Sequence, residues 1–247
     1  MEGKILVTFD IDGTLMLAGN HGQDHRDSMK HALNVLYGIN LCPSEFLKTH
    51  FAGYSDYKIV TECIMKAANE KEVTPEEVYK FYDIATEKFK EIHTGNTIVY
   101  PGVYKALENL SKHDNVIIGL CTGNIPGIGW TKLEKTNMAQ YFDRRLGGLG
   151  SHPNRADILQ SVIDKAKELY GKIDRVVHVG DAMQDVQAAL DVGALAVAVD
   201  TGSQKDKVFK QPSFVLENLE VGMNDFMSIV LTGKTVSGAD HIDQKFK

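Results

Sequence analysis

The sequence has 247 residues, 43% hydrophobic and 24% charged, which is globular composition for one large domain or two smaller ones. Acids outnumber Lys and Arg by 33 to 27, and no basic block stands out, so a sequence-independent grip on nucleic acid is excluded. The apolar runs are too short for a membrane span, and the 3 cysteines are scattered without a CxxC pair, so the expectation is a reduced, cytoplasmic protein with neither a disulfide framework nor a zinc site.

The first predicted element is a buried strand over 5–11, a short apolar run that ends in Asp10, passes Ile11 and reaches Asp12, Gly13 and Thr14. Helical patterns follow over 24–37, 55–69 and 74–92, the last with Thr74 as cap and Pro75 in the first helical position. No strand run interrupts them. About 75 residues are therefore read as an all-helical insertion after the first strand. The predicted division is a core of 1–16 and 94–247 and a helical cap domain of 17–93.

Beyond Pro101 the pattern changes. The runs VIIGLCTG (116–123), RVVHVGD (175–181) and LAVAVDTG (195–202) suit parallel strands covered on both faces. Helical stretches separate them: GVYKALENLSK, GWTKLEKTNM, ADILQSVIDKAKELYG and MQDVQAALDVG. This alternation predicts an α/β fold with a doubly wound parallel sheet and right-handed crossovers. The polar C-terminal SGADHIDQKFK is expected to fray.

In such sheets, ligands bind at the carboxyl ends of the strands. Three strands here end in chemically capable residues: Asp10 and Asp12; Thr122, Gly123 and Asn124; and Asp181, with Asp185 at the start of the next helix. Brought to one edge, the four acids would repel one another, and a hard divalent cation with oxygen ligands would resolve that repulsion. Such a site receives phosphate, and Thr122 with the amides after it supplies donors at a helix N-terminus. One carboxylate can then attack phosphorus, while a second, two residues on, protonates the leaving oxygen and later deprotonates water. Singly, each motif has an ordinary reading as a turn or a helix cap. Their joint occurrence, in order and at strand ends, carries the argument. His178, inside an apolar strand, reads as a core histidine, and Trp130 as packing.

These motifs resemble those of the haloacid dehalogenase superfamily. FDIDGTL is similar to its first motif, which implies Asp10 as nucleophile and Asp12 as acid/base. GLCTGN resembles its second, with Thr122, Gly123 and Asn124 at the phosphate. HVGDAMQDVQAALDVGA resembles its fourth, with Asp181 and Asp185 at a Mg²⁺ ion whose shell also takes Asp10 and, through its carbonyl, Asp12. The insertion resembles the helical cap of the phosphoglycolate-phosphatase-like branch, and FAGYSDYKIV resembles its substrate-facing segment, which points to Gly53, Ser55 and Asp56. The branch usually places a Lys ahead of the third core helix; SHPNRADIL has none, and Arg155 takes the cationic role, with Lys132 as runner-up. The resemblance implies a Mg²⁺-dependent phosphatase acting on a small phosphorylated metabolite through an aspartyl-phosphate. Rival readings are a phosphomutase, a dehalogenase, a phosphonate hydrolase and a non-catalytic binding module. Asp12 argues against the dehalogenase and the phosphonate hydrolase, and the intact set of four acids against the last. The physiological substrate and the oligomeric state are not written in the sequence.

Overall fold

The structure is a computed structural model, and it describes residues 3–17, 19–49, 51, 54–94, 97–202 and 208–244. Its centre is a parallel sheet of 6 strands in the order β3-β2-β1-β4-β5-β6. The strands are β1 (Lys4–Phe9), β2 (Val116–Thr122), β3 (Gly147–Leu149), β4 (Ile173–Gly180), β5 (Leu195–Val199) and β6 (Phe214–Leu216). The chain steps from β1 outward to β2 and β3, then returns to the far side of β1 with β4. The order therefore reverses between β1 and β4, and the carboxyl ends of these two strands open the crevice where such sheets bind ligands.

The period-two alternation of β1 sorts its side chains onto two faces. Ile5, Val7 and Phe9 pack with Leu107 of α5 (Val103–Leu110), Leu133 of α6 (Pro126–Lys135) and Phe226 of α9 (Met223–Thr232). Leu6 packs on the opposite face with Ile158, Leu159 and Val162 of α7 (Arg155–Tyr170) and Val186 of α8 (Met183–Asp191). Helices cover both faces, as expected for continuous apolar strands.

Between β1 and α5 lie four helices: α1 (Gly19–Tyr37), α2 (Pro43–Leu47), α3 (Asp56–Ala68) and α4 (Pro75–Ile92). Thr74 closes the predicted capping box on α4, its hydroxyl accepting from the Glu77 amide while the Glu77 carboxylate accepts from the Thr74 amide. These helices have their own apolar centre, with Leu33, Ile64, Phe81 and Phe89 fully buried. That centre also takes in Ile125 and Ile128, at the start of α6. The insertion is thus seated on the loop that follows β2.

The structure corrects several expectations. β1 ends at Phe9, short of Ile11, and β5 ends at Val199, short of Gly202. Two edge strands, β3 and β6, were not foreseen, because 3 residues each are too few to show a period. Helices α2 and α9 were also missed. The C-terminal segment does not fray through its described part: Ile242 bridges Phe214, and its backbone bonds Ser213 and Val215 at 3.0 and 3.1 Å. Among the described residues, no helix is long and apolar enough to cross a membrane.

Candidate active site

The predicted acids do gather at the β1/β4 switch point, but as three and one. Asp10, Asp181 and Asp185 each offer a carboxylate oxygen, all within 4.8 Å of one another, and all three residues are buried. Gly13 makes this approach possible. Its φ is +91°, which an L side chain rarely adopts, and a Cβ there would stand 2.4 Å from Asp181 Oδ1. Thr14 closes the same turn by donating to Asp181 Oδ1 at 3.3 Å.

Asp185 has two separate tasks. Its Oδ2 accepts from the Ala182 amide at 3.0 Å and caps α8. Its Oδ1 is buried without a hydrogen bond, although Arg155 Nε lies 3.2 Å and His178 Nε2 3.5 Å away. His178 is almost wholly buried, with Nδ1 3.0 Å from Thr8 Oγ1, so it is the core histidine the sequence suggested.

Arg155 reaches this group from the first turn of α7, and its Nη1 donates to Asp10 Oδ1 at 2.9 Å. Burial pushes the Asp10 carboxyl above its ordinary value; Arg155 opposes the rise, and Asp185 adds to it. In Asp185 burial also pushes upward, but Arg155 and then His178 carry it below the ordinary value. Three carboxylates meet in this buried site, and Arg155 contacts two of them, Asp10 and Asp185. An orphaned carboxylate oxygen and an all-oxygen donor set fit a hard divalent cation. Asp10, Asp181 and Asp185 are the side chains that could hold it.

Asp12 is turned out of that cluster. Its Oδ2 accepts from Lys132 Nζ at 2.6 Å and from Asn124 Nδ2 at 3.0 Å, while its Oδ1 is buried without a hydrogen bond. The Lys132 side chain is 1% exposed, and its other hydrogen-bond partner is Asn124 Oδ1 at 2.7 Å. Burial pushes Asp12 upward, but the charge and hydrogen bond of Lys132 carry it below the ordinary carboxylate value. Lys132 was the weaker candidate because it lies two turns into α6. Its side chain leans back along the helix, as helical side chains do, and so reaches the β1 turn. Both candidate cations are therefore in the site, on different acids.

The loop after β2 joins the two groups. Thr122 is fully buried and its Oγ1 accepts from Asn124 Nδ2 at 2.8 Å. Asn124 thereby links Thr122, Asp12 and Lys132, a bridging role the sequence did not reveal. The Gly123 carbonyl accepts from the Asp56 amide at 2.8 Å, and a Cβ on Gly123 would lie 3.1 Å from Ser55 Cα. The insertion thus packs directly on this loop.

Its expected substrate-facing residues are engaged within the protein. Ser55 caps α3, accepting from the Lys58 amide, and its hydroxyl donates to the His152 carbonyl at 2.7 Å. Asp56 Oδ2 accepts from the Ile125 amide at 2.7 Å and lies 2.9 Å from His25 Nε2. Gly53 lies outside the described residues.

A model of the haloacid dehalogenase-like hydrolases matches residues 7–199, from β1 through β5 with the insertion included. The chain belongs to this family. As a hydrolase it is 22% identical over 237 residues to a phosphoglycolate phosphatase of Mesorhizobium japonicum, a match that covers 96% of this chain and 98% of that protein. The solved structure of a predicted phosphoglycolate phosphatase from Haemophilus somnus covers 93% of the hydrolase and 98% of itself, at 21% identity and a TM-score of 0.60. A mutant CbbY from Rhodobacter sphaeroides, solved in complex with xylulose-(1,5)bisphosphate, covers 89% and 96% at 14% identity and a TM-score of 0.62. The likeness to the two solved structures is one of fold.

Proposed function

We propose that the hydrolase is a phosphatase that cleaves a small phosphate monoester through an aspartyl-phosphate on Asp10, with a divalent metal, Mg²⁺ by preference, held at Asp10, Asp181 and Asp185. The observation that carries this reading is the asymmetry of the two motif-one acids. Asp10 sits in the carboxylate cluster on Arg155, while Asp12 sits 2 positions on with one buried oxygen unbonded.

In this reading the Asp10 carboxylate attacks phosphorus as the bond to the leaving oxygen breaks, and Asp12 gives its proton to that oxygen. Water then attacks the phosphoryl group. Asp12 takes the water's proton, and Asp10 leaves as a carboxylate with release of inorganic phosphate. Oδ1 is the Asp12 atom open to carry the proton, since Lys132 and Asn124 hold Oδ2. Lys132 favours the ionised state needed in the second half. Arg155 orients Asp10 and, with Thr122 and the loop amides, faces the charge of the phosphoryl group. A bound metal would supply further positive charge at the phosphoryl oxygens. The helical insertion acts as a cap, closing over the leaving group from the loop after β2. The names of the relatives favour phosphoglycolate-like or sugar-phosphate esters over larger substrates.

The test is release of inorganic phosphate from p-nitrophenyl phosphate by the purified chain, with Mg²⁺ and with excess chelator. Metal-dependent release supports the proposal, and no release from any phosphate ester with Mg²⁺ present overturns it. A product that is an isomeric phosphate, with no free phosphate formed, would select the phosphomutase instead.

A further inference from the structure

Two loops carry the groups that orient the paired acids of β1, and three buried residues of the insertion bind both loops: Ser55, Asp56 and Tyr82. Asp56, at the start of α3, grips the loop after β2 on either side of Asn124. Its amide donates to the Gly123 carbonyl at 2.8 Å, and its Oδ2 accepts from the Ile125 amide at 2.7 Å. Asn124 in turn donates to Asp12 Oδ2 at 3.0 Å and to Thr122 Oγ1 at 2.8 Å. Ser55 holds the loop after β3, its hydroxyl reaching the His152 carbonyl at 2.7 Å and the Pro153 carbonyl at 3.1 Å. Those carbonyls stand just ahead of Arg155, which donates to Asp10 Oδ1 at 2.9 Å.

Tyr82, in α4, acts where the two loops touch. Its hydroxyl donates to the Gly150 carbonyl at 2.8 Å, and the Gly150 amide donates to the Thr122 carbonyl at 3.1 Å. Gly150 has a φ of +46°, and a Cβ there would stand 2.7 Å from the Asn124 carbonyl oxygen. A Cβ on Gly123 would stand 3.1 Å from Ser55 Cα and 3.7 Å from Arg155 Nη2. The insertion and both loops therefore meet at backbone distance. Residues 123–125 and 150–154 belong to no helix or strand, so no ladder of their own fixes them. Their geometry is set by the groups they are bonded to. These bonds are formed by buried residues, where water competes little for them.

Resting on the phosphatase reading above, we propose that Ser55, Asp56 and Tyr82 are positioning residues, which bracket the loops after β2 and β3 and so set Asn124 against Asp12 and Arg155 against Asp10. The insertion is then part of the frame that aims the two acids. Each of the three residues acts through a loop, so the bracket serves the chemical step for every ester alike. That step is steep in distance, since a misplacement of about 1 Å can cost about 100-fold in rate. Losing one bond of several should cost less than that.

The experiment measures kcat and KM with Mg²⁺ for p-nitrophenyl phosphate and phosphoglycolate, at a temperature where circular dichroism shows each protein folded. The variants are Ser55→Ala, Tyr82→Phe, Asp56→Ala and Asp56→Asn, with Ile64→Val as control. Ile64 lies in the apolar centre of the insertion and makes none of these bonds. Ser55→Ala, Tyr82→Phe and Asp56→Ala should each lower kcat about 5- to 10-fold on every ester the wild type cleaves, with KM changed less than about twofold. Asp56→Asn keeps an acceptor for the Ile125 amide and should recover most of the loss. Ile64→Val should lower the Tm and leave kcat unchanged. Heteronuclear NMR gives a readout without turnover: the Arg155 Nε–H resonance should shift in Ser55→Ala, the Asn124 side-chain amide in Asp56→Ala, and neither in Ile64→Val. If Asp56→Ala fails to fold, Ser55→Ala and Tyr82→Phe carry the test, with Tyr82→Phe expected to move the Asn124 resonance. Wild-type kcat in the folded bracket variants overturns the proposal. So does a loss confined to one of two cleaved esters, an equal loss in Ile64→Val, or a loss with both resonances unmoved. If the wild type releases no phosphate from any ester, the phosphatase reading fails and the resonances alone judge the bracket. Shifts in the bracket variants then support it, and unmoved resonances overturn it.

Discussion

The carboxyl edge of the sheet and the helical insertion both bring acids to the loop after β2, and they use them in opposite ways. At the sheet edge, Asp10, Asp181 and Asp185 crowd within 4.8 Å, Asp10 and Asp185 share one guanidinium, and an Asp185 oxygen is left without a hydrogen bond. In the insertion, Asp56 is equally buried, yet its Oδ2 carries both the Ile125 amide and His25. Burial alone therefore does not mark a functional carboxylate. What separates the two regions is crowding: three carboxylates meet at the sheet edge, where each disfavours the charge of the others, whereas Asp56 faces an amide and an imidazole.

Substituting the nucleophile breaks the comparison most severely. Asp10→Asn keeps the shape and should lower turnover by at least about a thousandfold, because no neighbouring acid is placed to replace it. Circular dichroism should be unchanged, and stability should not fall, since the change relieves repulsion in the cluster. Hydrolysis of p-nitrophenyl phosphate near the wild-type rate would move the nucleophile elsewhere.

Metal should act on the sheet edge only. Excess chelator should reduce activity to background, and Mg²⁺ should restore it. Mg²⁺ at a hundredfold excess over Kd should raise the Tm of the wild type by roughly 5 °C or more, and this rise should vanish in Asp185→Asn. An equal rise in Asp185→Asn would place the cation outside the cluster.

The two cations sharpen the contrast within the site. Arg155→Ala should lower the single-turnover rate by about 100-fold, because Arg155 lies against Asp10, where charge develops. Lys132→Ala should lower it less, because Asn124 still holds Asp12. The reverse ranking would make the Asp12 clamp the dominant electrostatic feature.

The smallest effect on chemistry is expected in the insertion. Asp56→Ala leaves the Ile125 amide without its partner and should cost about 1–3 kcal/mol, read by urea denaturation. Its effect on kcat/KM should be the same for phosphoglycolate and p-nitrophenyl phosphate, since the carboxylate acts on the loop and not on a substrate. A loss confined to phosphoglycolate would restore the substrate-contacting role that the sequence suggested.

The central strands and the core helices were legible because continuous apolar runs and 3.6-residue periodicity are local signals. So were the positions of Asp10, Asp12, Thr122 and Asp181 at or just beyond strand ends, and of Asp185 in the first turn of the helix after β4. The short edge strands β3 and β6 left no period to read. The bond between Ile242 and the β6 region spans 27 positions or more, and polar composition alone gave no sign of it. Within the site, the sequence offered Arg155 and Lys132 as competitors for one role. Their assignment to different acids depends on how α6 and α7 approach the β1 turn.

The sequence by itself determined the doubly wound core, the helical insertion after β1 and the set of acids at the strand ends, because each follows from side-chain type and spacing along a short stretch. Only the tertiary structure decided how those acids divide. Asp12 is held out of the cluster by Lys132 and Asn124, and Asp56 is fixed on the Ile125 amide. These outcomes rest on which oxygen meets which donor across elements as much as 120 residues apart, a distance at which local pattern carries no information.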